Sequence, residues 1–148
     1  AQLIVGMLNL MAHQLPLQFR FDRDELQRLI ASAQGLSQLD SRDAAIGAAA
    51  KQLQACGAAA SAVLDRCATD PAELASAVRD MREAVGALMA ASADGRDKAA
   101  LAAVEKTVLD LSKEQLLRDR SLMLPQGWEP DPAAVPPLEK LLGAGAPL

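Results

Sequence analysis

The sequence predicts an all-α fold: an up-and-down antiparallel bundle of four principal helices, with an N-terminal helical segment and a Pro-rich C-terminal tail. Three observations carry this. Hydrophobic residues make up 51% of the 148 residues but aromatics only 2%, so the apolar share is mostly Ala and Leu, both strong helix formers. Apolar positions recur in alternating steps of three and four, the period of a helical seam. Asp-led starts and Gly or Pro stops divide the chain into segments joined by short loops, which makes successive helices antiparallel neighbours. A chain of this length is one domain's worth and can hold a core without metals or disulfides.

In the N-terminal stretch Leu3–Leu15, the residues Ile4, Met7, Leu8, Met11 and Leu15 share one helical face, and Pro16 is expected to end the helix. Leu17-Gln18-Phe19-Arg20-Phe21 alternates apolar and polar. With no second strand to pair with, it reads as an extended connector whose two Phe side chains plug the bundle end. Asp22 and Glu25 have the spacing of a capping box, predicting a helix through Leu26, Leu29, Ile30 and Ala33 to Gly35.

The next helix is expected to start near Asp40 or Ser41. Its seam runs Ile46, Ala49, Leu53, Cys56, Ala60, Val63, Cys67. Asp70-Pro71-Ala72-Glu73 is the strongest helix start in the chain, with a cap, a first-position proline and a box-closing acid. The helix that follows carries Leu74, Val78, Met81, Val85 and Leu88 and ends at Asp94-Gly95. The fourth begins near Arg96 or Asp97, runs along Leu101, Val104, Val108 and Leu111 towards Leu116, Leu117 and Leu122, and stops at Pro125. Residues 1–124 are therefore read as the bundle. Residues 125–148, rich in proline, are read as a tail that packs on the bundle or docks to a partner, with a helical turn at Leu138–Leu142.

A net charge of −4 argues against nucleic acid as a partner. Residues 3–15 have no Lys or Arg, which interfacial membrane helices usually carry, so a membrane role is disfavoured. The chain begins at Ala1, as expected for a processed terminus or an excised domain, and shows no signal peptide. Cys56 and Cys67 fall in one predicted helix roughly 16 Å apart, too far for a disulfide. Two unpaired thiols favour a reducing, cytoplasmic setting.

The inventory for catalysis is thin. His13 is the only histidine, so a His-based triad or multi-histidine metal site within one chain is excluded, and no cofactor or metal is expected. No Gly-rich loop follows a strand. The carboxylates stand at predicted caps or beside Arg and Lys on polar faces. Met11-Ala12-His13-Gln14-Leu15 resembles the start of a histidine-kinase phosphoacceptor box over five residues. It departs from that pattern at Gln14, where the family has an acid, and at Pro16. The resemblance implies a phosphoryl-relay role for His13. The plainer reading is a histidine near a helix end, its charge favoured by the helix dipole. Ligand alternatives are a haem held by His13 and one of Met7, Met11, Met81 or Met89, or a small apolar molecule in the Ala-rich seams.

The leading expectation is a non-enzymatic interaction, adaptor or regulatory module that docks helices into grooves and binds another protein, with homo-oligomers possible. The candidate contact residues are Met7 and Met11 on the N-terminal face, Trp128 in the tail, and Leu138, Leu141 and Leu142, which match the LxxLL pattern of groove-docking helices.

Overall fold

In a computed structural model, which describes residues 2–66 and 70–142 and excepts the side chains of Gln2, His13 and Pro16, the chain is all-α. Four helices form an up-and-down bundle: α1 (Gln2–Leu36), α2 (Ala44–Leu64), α3 (Pro71–Asp94) and α4 (Lys98–Met123). A 3₁₀ turn (Leu124–Gln126), a second (Pro132–Ala134) and the short α5 (Leu138–Leu141) follow. α1 and α3 pack together at the centre, with α2 and α4 flanking them. The buried core joins Leu26, Leu29, Ile30 and Ala33 of α1, Ile46 and Leu53 of α2, Leu74, Val78, Met81, Val85 and Leu88 of α3, and Val104 of α4.

The loops close as their caps dictate. Asp70 accepts a hydrogen bond from the Ala72 N–H with Pro71 in the first turn, and Asp97 accepts from the Ala100 N–H. Glu73 pairs with Arg66 at 2.8 Å. α2 begins a few residues later than its sequence suggests, because Asp43 rather than Asp40 or Ser41 accepts from the Ala45 and Ile46 N–H groups. Gly95 ends α3 where a Cβ would stand 3.0 Å from both Asp43 Oδ2 and Ile46 Cδ1, a tight approach to the start of α2.

The first helix corrects the sequence reading. Pro16 does not end it, 17–21 is not extended, and Asp22 is not a cap; α1 is one helix of 35 residues. Three physical terms explain this. A lone extended segment leaves its backbone groups without partners, whereas a helix satisfies them internally. In helical register Phe21 falls one turn from Glu25 and two from Leu29, on the buried face. Pro16 removes the donor to the Ala12 carbonyl, but Ala12 is exposed and water can take that place. Asp22 instead accepts from Gln18 one turn earlier, at 2.9 Å.

The predicted seam of α2 is buried or half-buried at Ile46, Ala49, Leu53, Cys56, Ala60 and Val63. Cys67, expected in the same helix, lies outside the described residues, and α2 ends at Leu64. The stripe of α4 is less covered than expected, with Leu116 more than half exposed.

Candidate interaction surface

The site is built from the two halves of α1. From Phe21 to Leu36 its apolar stripe faces α2, α3 and α4 and is buried. From Leu3 to Leu15 the same stripe continues along the helix with no other described helix of the chain opposite. Leu3, Ile4, Val5, Met7, Leu8, Met11 and Leu15 are all exposed, between 53% and 79%. Among the described residues, the first side-chain hydrogen bond from α1 to another element is at Gln14, whose Nε2 lies 3.6 Å from Met123 Sδ at the end of α4. Residues 3–12 thus form an overhang, about 15 Å of helix, whose residues are exposed except the half-buried Gly6 and Leu10. Residues 2–19 contain no Asp, Glu, Lys or Arg.

Of the residues expected to contact a partner, Met7 and Met11 lie on this overhang, both more than half exposed. Trp128 is 71% exposed. It follows Gly127, whose φ of 68° reverses the chain after the 3₁₀ turn. That turn touches α1, so Trp128 stands at the end of the bundle from which the overhang emerges. The remaining three lie apart from these. Leu138 is buried, and Leu141 and Leu142 are half-buried, against the bundle. The His13 side chain, on which the relay and haem alternatives rest, lies outside the described residues. Met81 is buried and Met89 packs against the core.

Sequence reasoning missed the polar network that fixes the base of the overhang. Asp24 receives Arg28 at 2.8 Å and Arg118 at 2.6 Å, and all three side chains are at most 15% exposed. Arg28 also donates to Gln115 Oε1 at 2.7 Å. Arg118 reaches the Leu141 carbonyl at 3.3 Å, and Ser121 donates to the Pro136 carbonyl at 2.7 Å. These contacts, with Val135 and Leu138 buried, bind 135–141 to α4. Nearby, Glu25 is buried and receives Arg82 Nε at 2.6 Å. Burial raises its carboxyl above the usual range, and Arg82 opposes this in part. The available signal was an acid at position 25 amid the apolar stripe, read instead as half of a capping box.

Among the described residues no cluster of His, Cys, Asp or Glu could hold a metal ion. No helix among them is long and apolar enough to cross a membrane. A groove of about 290 Å³ between α1 and α2 is lined by Ile30, Ala33, Gln34, Gly57, Ala58 and Ser61. No protein-family model matches this chain, and comparison with curated proteins and with solved structures finds no match.

Proposed function

We propose that this chain is a non-enzymatic interaction module that works as an adaptor or regulatory element by docking the apolar face of residues 3–15 against an apolar helical partner. One observation carries the reading: a helix that buries its stripe over residues 21–36 presents the same stripe uncovered over 3–15. Large contiguous apolar patches on soluble proteins mark interaction sites. A neutral helix face suits another apolar helix better than it suits an anionic surface, since residues 2–19 offer no cation. Asp43, Asp70 and Asp97 serve as helix caps, and Asp24, Glu25 and Glu129 stand in ion pairs.

The test is site-specific photo-crosslinking of the full chain in cells, with a benzophenone side chain at Leu8 and a control at Leu109, which is also exposed but lies on α4. Protein adducts at position 8 that are absent at 109 are the expected result. Lipid adducts alone, or a pattern identical at both positions, would sink the reading.

A further inference from the structure

We infer that the partner of this overhang is a second copy of the same chain, paired antiparallel about a two-fold axis that passes between Leu8 and Met11. The inference rests on the docking role proposed above and names its occupant.

Direction follows from the fold. The exposed stripe of residues 3–15 lies on the same side of α1 as the buried stripe of 21–36. The space facing the stripe is open beside the overhang, and further along the helix it is filled by α2, α3 and α4. A helix laid on the stripe parallel to α1 and carrying its own bundle would run into them. An antiparallel one runs away from them, and its N-terminal tip meets the bundle end near Met123.

Register follows from the sequence. Ile4, Leu8, Met11 and Leu15 are spaced by four, three and four, so the stripe reads the same in both directions. In an antiparallel pair Ile4 faces the partner's Leu15, and Leu8 faces the partner's Met11. Every layer is apolar, as a helical seam requires. Such an isologous contact places each patch against its own copy.

Charge and area agree. Like charges brought together across an interface repel, and a chain of net charge −4 meets that cost over most of its surface. The overhang is the long stretch with no charged side chain, so self-pairing there sets no like charges opposite each other. Ile4, Met7, Leu8, Met11 and Leu15, which share the face and are all more than half exposed, present roughly 500 Å² of apolar area per copy, or about 1,000 Å² for the pair. That is near the lower limit of specific interfaces and fits a reversible dimer.

The experiment is sedimentation velocity of the full chain from 1 to 100 µM, for wild type, Leu8→Glu, Met11→Lys and an equimolar mixture of the two variants. Circular dichroism verifies that each remains helical; both positions lie outside the core. The expected result is a wild-type dimer, each variant weakened at least 100-fold, and a dimer restored in the mixture. Only the antiparallel register sets the introduced carboxylate of one chain against the introduced ammonium of the other. A wild type that stays monomeric at 100 µM, or variants that dimerise as well as wild type, would overturn the inference. A wild-type dimer whose mixed variants stay apart would overturn the antiparallel register. A monomer that still gives a protein adduct at Leu8 removes self-pairing alone; a monomer with no such adduct removes the docking role as well.

Discussion

The two halves of α1 share one backbone, one helical register and one apolar face, yet only the C-terminal half is covered. Leu26 is fully buried, while Leu8 is mostly in solvent. The apolar period of a helix therefore records a face to be covered without recording by what. Truncating a leucine in each half separates them most strongly. Leu26→Ala removes buried atoms and leaves a cavity, so it is expected to destabilise the fold by about 2–5 kcal/mol. Leu8→Ala should stay within about 0.5 kcal/mol in the monomer, as exposed substitutions do. Urea unfolding at low protein concentration checks both. A large loss from Leu8→Ala would mean the overhang folds back on the bundle.

The next largest effect lies at the junction of the halves. Asp24 is the shared counterion of Arg28 and Arg118. Removing it by Asp24→Ala strands two poorly exposed guanidinium groups, and the expected loss is about 2–3 kcal/mol, discounted from a fully buried pair because each retains some solvent. Arg118 also holds the Leu141 carbonyl. Amide exchange at residues 138–142 should therefore accelerate more than exchange in α2, which the network does not touch. Equal acceleration in both would show that Asp24 supports the bundle as a whole rather than the tail.

Pro16 marks the boundary in the sequence, and there the reading and the structure part. The third and fourth helices were legible because their caps and stops are local chemistry: Asp70-Pro71, Asp97 and Gly95 act on neighbours within a few residues. The continuity of α1 was not legible, because a proline's local cost had to be weighed against the distant burial of Phe21. The candidate surface was half legible. The stripe through Met7 and Met11 could be read, but its lack of a cover could not, and the buried fate of Leu138 depended on Ser121 and Val135. Restoring the missing donor with Pro16→Ala should stabilise the local helix by about 1–3 kcal/mol, the scale of an interior proline's penalty. Slower amide exchange across residues 10–15 is the readout. Unchanged exchange there would mean that the proline is not what limits the overhang.

The smallest effect distinguishes the halves by pH. The overhang offers no carboxylate, so acid acts on α1 through its covered half, where Glu25 lies buried beside Arg82 and close to Arg28 and Asp119. Burial raises the Glu25 carboxyl above its ordinary value of 4.5, and the two arginines pull it back only in part. Asp22, raised by burial as well, adds in the same direction. A raised acid holds its proton in the folded chain after the unfolded chain has released it, so the folded state binds more protons in that window. Its contribution to stability is present below pH 4.5 and is lost as pH rises through the folded value. Asp97 runs the other way: cap bonds from the Ala100 N–H lower it, and its contribution fades as pH falls. Subtracting Glu25→Gln from wild type isolates the first effect, since the amide does not titrate and Asp97 cancels. The difference in unfolding free energy should move against wild type as pH rises above 4.5, then level off once the folded carboxyl has ionised. A difference that moves towards wild type on the same titration would mean that Arg82 outweighs burial, and that the charged pair itself helps to seat the covered half of α1.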